Sequence, residues 1–271
     1  MEKSRSISSF LPGGKMHWEH EQDVYRVDLS KEVKRPQTLL EIQDFNSSNP
    51  INCRLFSAGN FSVITGKGKS KKTYLTSLLA SLIVSGIPAF RFKPVKSKIV
   101  IFDTEQGDYD AWNVGKRIKQ LSDSEEFDMF ALREMSYTER MIFICDYIKH
   151  NRPKFIVIDG IADLVYSVNE ESEALKIQEM LLSYTKSYNC HILCIIHQNK
   201  ADNYATGFLG SALIKKAELV MSIKKENNLS IVSCDYIRGS VEFEDFYLDI
   251  QDGLPVVIDK NEVESNNIMP L

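Results

Sequence analysis

The feature that most constrains the fold is the stretch from Phe61 to Gly86, in which three kinds of sequence follow one another. Residues 61–65 form a short apolar run rich in β-branched side chains, which is typical of a buried strand. Residues 66–72 contain only glycine, serine and lysine, as a loop would. From residue 73 onward, leucine and isoleucine recur at intervals of three and four, which predicts a helix that ends near Gly86. A strand, a loop of this composition and a helix, in that order, are the setting of a phosphate-binding loop.

The loop follows the spacing of the phosphate-binding motif, which is Gly, four residues, Gly, Lys and then Ser or Thr. Gly66 opens the motif, Lys72 takes its lysine position and Thr73 takes its hydroxyl position. In such a loop the backbone N–H groups face the phosphates, the lysine reaches the β- and γ-phosphates, and the hydroxyl binds Mg²⁺. The sequence therefore predicts a site for ATP and Mg²⁺. The predicted nucleotide-binding residues are Gly66, Lys67, Gly68, Lys69, Ser70, Lys71, Lys72 and Thr73.

One position departs from the motif, because Lys71 stands where the second glycine is expected. A Cβ atom at this position restricts φ and crowds the close approach of the backbone to a phosphate. Our hypothesis is that the Lys71 ammonium adds a second positive charge at the phosphates and so offsets the poorer backbone approach. The alternative interpretation of the whole stretch is a lysine-rich surface turn in front of an ordinary core helix.

The composition is that of an ordinary globular protein and excludes several classes. Of the 271 residues, 43% are hydrophobic and 26% are charged, and the net charge of −4 gives no overall basic surface, so any DNA contact must be local. The five cysteines include no Cys-x-x-Cys pair, which favours a reduced, cytoplasmic location over a disulfide framework or a zinc site. No apolar run approaches the roughly 18 residues of a membrane span, so we expect no membrane contact.

The rest of the chain predicts an α/β fold. Apolar runs predict further buried strands at 98–103, 154–159 and 191–196. Amphipathic stretches between these runs predict helices, and this alternation indicates a mainly parallel central sheet with helices on its faces. After residue 228, two or three strands with tight turns predict antiparallel strands at one edge. The expected parts of the chain are an N-terminal arm at 1–50, one α/β domain at 51–259 and a flexible tail at 260–271.

Polar side chains follow the apolar runs at the points where the predicted strands end. They are Asp103, Glu105, Asp159, His197 and Gln198. Ligands of an open parallel sheet bind at the carboxyl ends of its strands, where the phosphate-binding loop also lies. Any one of these residues alone could cap a helix or line a loop, but their common edge indicates a single site. Asp159, which follows Phe-Ile-Val-Ile, has the pattern of an aspartate that binds Mg²⁺ in nucleotide hydrolases.

As a set, these residues resemble the RecA-like P-loop ATPases, and within them the RepA-type branch of hexameric helicases carried by plasmids and mobilisable transposons. The resemblance runs from about residue 56 to residue 250. It implies a RecA-like fold that binds ATP and Mg²⁺. It also implies a homo-oligomer such as a hexameric ring, with single-stranded DNA as a partner.

The resemblance also implies a role for individual residues. Glu105 takes the place of the glutamate that polarises the attacking water, and Gln198 or His197 would sense the γ-phosphate. Arg238, at the end of a late strand, fits the arginine finger that reaches the nucleotide of a neighbouring subunit. The implied catalytic residues are thus Glu105, Gln198, His197 and Arg238, and the implied metal ligands are Thr73 and Asp159.

Two departures from the family's pattern leave more than one function open. Lys71 replaces the loop glycine, and Tyr236 stands where the finger strand often has a lysine. The first hypothesis is an oligomeric ATPase that works as a helicase-like or DNA-processing motor of a mobile genetic element. The second is a nucleotide-binding regulatory or partner protein that hydrolyses ATP slowly or not at all. The third, an α/β binding module without a nucleotide, rests only on the departure at Lys71.

Overall fold

The structure, a computed structural model, describes residues 26–44, 51–199 and 205–258. Contacts divide the chain into two compact units, residues 1–35 and 36–271. The described residues of the first unit are exposed and make a turn in which the Lys31 N–H donates to the Asp28 carbonyl at 3.2 Å. Much of the predicted arm and all of the predicted tail lie outside the described residues, so the division at 1–50, 51–259 and 260–271 stays a prediction.

The described residues of the second unit contain twelve strands, which form two sheets. The strands are β1 (Thr38–Asp44), β2 (Ile51–Ser57), β3 (Phe61–Gly66), β4 (Phe92–Pro94), β5 (Ile99–Asp103), β6 (Phe127–Ala131), β7 (Phe155–Asp159), β8 (His191–His197), β9 (Leu219–Glu226), β10 (Leu229–Ile237), β11 (Phe246–Gln251) and β12 (Leu254–Ile258). The central sheet has nine strands in the order β12-β11-β10-β9-β3-β8-β7-β5-β6. The strands β9, β3, β8, β7, β5 and β6 run parallel to one another. Strands β10, β11 and β12 extend the sheet beyond β9 in antiparallel pairs. The predicted fold class is therefore confirmed.

Helices cover both faces of the central sheet. Those of the described chain are α1 (Lys72–Ser85), α2 (Asp108–Ser122), α3 (Tyr137–Asn151), α4 (Glu171–Tyr188) and α5 (Gly207–Lys216). Helices α1 and α2 pack on one face, and α3, α4 and α5 pack on the other. In β7, Phe155 and Val157 belong to the first core, whereas Ile156 and Ile158 belong to the second. None of the described helices is long and apolar enough to cross a membrane.

A second sheet of three antiparallel strands, in the order β2-β1-β4, is absent from the sequence predictions. Strand β1 forms within the range predicted as an arm, and β4 forms between the first predicted helix and the strand predicted at 98–103, where the sequence predicts no strand. Strand β4 has only three residues, too few for a recognisable pattern. Pairing with β1 and the edge-on contact of Phe92 with Phe246, at 5.7 Å between ring centroids, stabilise it.

Candidate functional site

The carboxyl ends of four parallel strands meet at one edge of the central sheet. Gly66 at the end of β3 pairs with His197 at the end of β8, and Asp103 pairs with Asp159 at the ends of β5 and β7. The phosphate-binding loop therefore lies beside the strands that carry the predicted polar residues. Glu105, Asp159 and His197 line a cleft of about 690 Å³ together with residues 69–73 of the loop.

The backbone of the loop is left-handed at two non-glycine residues. Lys69 has φ 63° and Lys71 has φ 70°, values that glycine adopts without steric cost. Lys71 is the N-cap of α1, and its side chain makes no capping hydrogen bond. At Gly66, an added Cβ would lie 2.6 Å from the carbonyl oxygen of Ile223 on β9, so a side chain would force the strands to shift. The structure thus favours glycine at both glycine positions of the motif, but only the first position, Gly66, has one.

The side chain of Lys71 has a different partner from the one we hypothesised. Its Nζ donates to the carbonyl of Asn228 at 2.9 Å, at the turn between β9 and β10. In this structure the ammonium connects the loop to the edge hairpin, and the hypothesis of a second positive charge at the phosphates stays a prediction. The backbone of residue 71 lies at the N-terminus of α1, where its N–H can face an anion.

Lys72 is buried at the base of the cleft, where its ammonium has three partners. Its Nζ lies 2.9 Å from the carbonyl oxygen of Gly66, 3.1 Å from that of Lys67 and 3.1 Å from Nδ1 of His197. Burial lowers the pKa of Lys72, while the carboxylates of Glu105 and Asp159 act in the opposite direction. A phosphate that enters this site would meet a cation which the loop already orients.

Glu105 is held in the cleft by its neighbours on both sides. His197 Nε2 lies 3.1 Å from its nearer carboxylate oxygen, and because Lys72 can only donate, His197 accepts at Nδ1 and donates from Nε2. This hydrogen bond is the main cause that lowers the pKa of Glu105. Asp103 fixes the backbone, since its carboxylate accepts the N–H groups of Glu105 at 3.1 Å and Gln106 at 2.9 Å. The glutamate is thus ionised and positioned.

Asp159 and Thr73 lie together beside the loop, and Thr73 Oγ1 donates to Asp159 Oδ2 at 3.3 Å. Burial, reinforced by the charges of Asp103 and Glu105, raises the pKa of Asp159 to about 7. A hydroxyl and a carboxylate are oxygen donors of the kind that Mg²⁺ takes. Ser70 Oγ in the same loop is buried and has no hydrogen-bond partner in the described part of the chain. These residues therefore fit a cation and the phosphate oxygens that would accompany it.

Of the two predicted γ-phosphate sensors, only His197 has its side chain in the cleft. The Gln198 side chain is buried beneath the loop, where its Nε2 donates to Thr65 Oγ1 at 3.1 Å. Its backbone N–H donates to the carbonyl of Gly66 at 3.1 Å. Successive residues at a strand end point to opposite faces, so the Gln198 side chain faces away from the cleft that His197 lines. Gln198 therefore supports the start of the loop.

Arg238 lies far from the cleft of its own chain. It follows β10, which runs antiparallel to β9, so it lies at the edge of the sheet opposite the phosphate-binding loop. Its guanidinium donates to the hydroxyl of Tyr236 at 3.3 Å and to the carbonyl of Lys215 at 3.2 Å. The side chain is exposed, and the structure does not bring it together with the other predicted catalytic residues.

Sequence reasoning missed one end of the cleft. Tyr74, Arg117 and the β11–β12 turn at Asp252 and Gly253 line the cleft beyond the loop. Arg117 comes from the middle of α2 and the turn comes from the antiparallel edge, so no local motif marks them. Only the packing of α1 against α2, and of α1 beside β12, brings them to the loop.

A family model described as an AAA domain matches residues 42–203, which is more than half of the chain. The matched range contains the phosphate-binding loop, Glu105, Asp159 and His197, whereas Arg238 lies beyond it. No curated protein matches the chain.

Proposed function

The chain belongs to the AAA domain family, a family of P-loop ATPase-like domains, and from this premise we propose that it binds ATP with Mg²⁺ in the cleft and hydrolyses it. The observation that carries the proposal is the row of contacts from Lys72 through His197 to Glu105, with Thr73 and Asp159 beside it. A phosphate-binding cation, a carboxylate base and a pair of metal-binding oxygens are the parts that phosphoryl transfer to water requires.

In the proposed mechanism each residue acts from the position that it has in the structure. The Lys72 ammonium binds oxygens of the β- and γ-phosphates and exchanges its contact with His197 for them. Glu105 accepts a hydrogen bond from the attacking water and orients it, and His197 keeps the carboxylate in place. Thr73 and Asp159 would hold Mg²⁺, which when bound neutralises the charge that develops on the phosphates.

The finer proposal is a homo-oligomeric, helicase-like or DNA-processing motor of a mobile genetic element, with a hexameric ring as its form. Its support is the resemblance of the motifs and the place of Arg238 at the edge opposite the loop, from which it can serve only another subunit's cleft. Tyr166, 80% exposed beside Tyr137 at 6.2 Å between ring centroids, offers a face on which bases of single-stranded DNA could stack.

One observation favours a second candidate, a nucleotide-binding regulatory protein with slow or no hydrolysis. Lys71 holds the loop in a left-handed conformation with a side chain where glycine is expected, and its ammonium is bound to the edge hairpin. A loop restrained in this way would bind phosphates but adjust poorly to the transition state.

The first test compares wild type with Lys72→Ala and Glu105→Gln by calorimetry with Mg·ATP. We expect Lys72→Ala to lose binding, because the phosphate cation is gone, and Glu105→Gln to bind normally but hydrolyse at least roughly a hundredfold more slowly. Lys176→Ala on α4, an exposed helical lysine on the other face, is the control. Equal affinity of wild type and Lys72→Ala would refute the proposed site.

Turnover separates the two candidates. A motor predicts steady-state hydrolysis by the wild type that single-stranded DNA stimulates. Tight binding without turnover, with or without DNA, would favour the regulatory protein.

A further inference from the structure

A buried hydroxyl joins the loop that carries Glu105 to the loop that follows β7. Thr104, the residue before Glu105, is 1% exposed, and its N–H donates to the carbonyl of Asp159 at 3.0 Å. Its Oγ1 lies 2.9 Å from the same carbonyl oxygen and 3.0 Å from that of Gly160. The third neighbour of this hydroxyl is Oδ2 of Asp163, at 2.9 Å. The side chain of Thr104 thus connects the ends of β5 and β7.

The Glu105 side chain packs directly on the backbone of Gly160. A Cβ atom added to Gly160 would lie 2.8 Å from Glu105 Cγ and 2.2 Å from Thr104 Oγ1. Gly160 has φ 100°, a left-handed value that favours glycine. The carbonyl that Thr104 contacts therefore belongs to the residue on which Glu105 rests, so the position of the hydroxyl affects the position of the carboxylate.

We propose that Thr104 is a positioning residue, which holds the Glu105 carboxylate where it orients the attacking water. The inference deepens the proposed function and rests on it, because it takes Glu105 as the base. His197 holds the carboxylate end of the glutamate at 3.1 Å, and Asp103 holds its backbone N–H at 3.1 Å. Thr104 and Gly160 fix the part between them, the aliphatic stem, which determines where the carboxylate lies.

The hydroxyl is not needed to satisfy the carbonyls around it, which argues against a purely structural role. The Asp159 carbonyl already accepts the Thr104 N–H, and the Gly160 carbonyl accepts the Asp163 N–H at 2.9 Å. The two carbonyls can only accept, so they compete for the one proton of the hydroxyl. Without the hydroxyl, both carbonyls would keep a backbone donor, and folding would lose little.

Arg140 of α3 anchors the loop on the far side of this contact. One terminal nitrogen of its guanidinium donates to the carbonyl of Asp163 at 3.0 Å. Its Nε donates to the carbonyl of Leu132 at 2.9 Å, and the other terminal nitrogen donates to that of Arg133 at 2.6 Å. Because Arg140 holds the loop after β7 independently of the hydroxyl, removal of the hydroxyl should free mainly the loop that carries Glu105.

The experiment compares Thr104→Ser with Thr104→Ala, because both lose the methyl group and only the serine keeps a hydroxyl. Thr104→Val, which leaves no space empty, serves as a second variant without the hydroxyl. Thr185→Ser and Thr185→Ala are the matched controls, since Thr185 on α4 is also fully buried, and its hydroxyl donates to a carbonyl, that of Leu181 at 2.7 Å. For each protein we would measure kcat, the affinity for Mg·ATP and the urea midpoint, and we would repeat the kcat measurement in the Glu105→Gln background.

We expect Thr104→Ala to bind Mg·ATP as tightly as Thr104→Ser but to have a roughly tenfold lower kcat, because a misplaced base orients water poorly. The urea midpoints of the two should agree, and the Thr185 pair should show no difference in kcat. In the Glu105→Gln background, Thr104→Ala should cause no further loss of kcat, since the effects of residues that act as a unit do not add.

Equal kcat values of Thr104→Ser and Thr104→Ala, with Glu105→Gln slow as expected, would overturn this inference alone. The same factor of loss in both backgrounds would also overturn it, because Thr104 would then act independently of Glu105. If Thr104→Ala does not fold, Thr104→Val is held to the same two criteria. A wild type that does not hydrolyse ATP, or a Glu105→Gln variant that hydrolyses it at the wild-type rate, would overturn the proposed function and this inference with it.

Discussion

At the scale of single residues, Lys71 shows that a motif position describes a backbone conformation as well as a side chain. The second glycine of a phosphate-binding loop is expected where the structure has φ 70° at the N-cap of α1. A side chain in this left-handed region costs roughly 1–2 kcal/mol, because Cβ crowds the following carbonyl oxygen. The bond from Lys71 Nζ to the Asn228 carbonyl is exposed and offsets little of that cost.

We therefore expect Lys71→Gly to raise the free energy of unfolding by about 1 kcal/mol, with ATP affinity unchanged. Urea denaturation of the two proteins would measure the difference. Lys67→Gly is the control, since φ of Lys67 is not positive and glycine there should lower stability by about 0.5–1 kcal/mol. If Lys71→Gly is destabilised as much as the control, left-handed strain at residue 71 is not the dominant effect.

The sequence predicts which residues reach the site better than which side chains face it. Glu105 and Asp159 were identifiable because each follows or ends an apolar strand, and Lys72 because the loop motif fixes its place at the start of α1. His197 and Gln198 follow one another at the end of β8, and a difference of one residue decides which of them faces the cleft. That choice depends on the register of β8 with β3, which no residue of β8 encodes alone.

At the scale of elements, the parallel strands were predictable because helices cover both faces of the sheet, so each strand is a continuous apolar run. The β2-β1-β4 sheet was not, since its strands are short or lie in polar sequence and depend on distant partners. The end of the cleft beyond the loop was missed for the same reason, because α2 and the β11–β12 turn meet only in the folded chain. The local sequence pattern thus predicts individual strands and helices, whereas the end of the cleft beyond the loop forms only when these elements pack together.

Strand β8 begins with a histidine that makes the stability of the fold depend on pH. His191 is fully buried, its ring is stacked with Phe155, and its Nδ1 donates to the carbonyl of Ser57 at 2.9 Å. Its Nε2 is buried and has no hydrogen-bond partner in the described part of the chain. Burial lowers the pKa of His191 from 6.5 to about 4. Between these two pH values the unfolded chain therefore binds a proton at His191 that the folded chain does not bind.

The stabilising contribution of neutral His191 is complete above about pH 6.5 and is lost as the pH falls towards 4, by an amount on the order of 3 kcal/mol. We expect His191→Phe, measured by urea denaturation at pH 7 and pH 4.5, to lose less stability on acidification than wild type. Glu218, whose carboxylate lies 3.8 Å from His191 Nδ1, has a pKa raised by burial and is present in both proteins. His150→Phe, at an exposed position, is the control. Equal acid sensitivity of His191→Phe and wild type would exclude His191 as the cause.

At the scale of the whole molecule, the two ends of the proposed chemistry lie at opposite edges of one sheet. Glu105 and Lys72 are at the carboxyl ends of the parallel strands, whereas Arg238 follows an antiparallel strand at the far edge. A finger in this position can complete a cleft only if copies associate head to tail, which is the heterologous contact that closes into a ring. The proposed oligomer and the proposed hydrolysis therefore depend on each other.

Mixing two inactive variants tests this dependence. Glu105→Gln lacks the base in its own cleft but donates a normal Arg238, and Arg238→Ala has a normal cleft but donates no finger. Each alone should hydrolyse ATP far more slowly than wild type, since an arginine finger is worth ~10³-fold or more. In a mixture of equal amounts that has exchanged subunits, about a quarter of the interfaces in head-to-tail rings join a normal cleft to a normal finger, so activity should recover towards that fraction of wild type. The ATP hydrolysis rate of each variant measured alone, at the same total protein concentration, gives the baseline. If mixtures shown to co-assemble stay inactive, Arg238 does not act across a subunit interface, and a chain that remains monomeric with ATP and DNA would favour the regulatory protein instead.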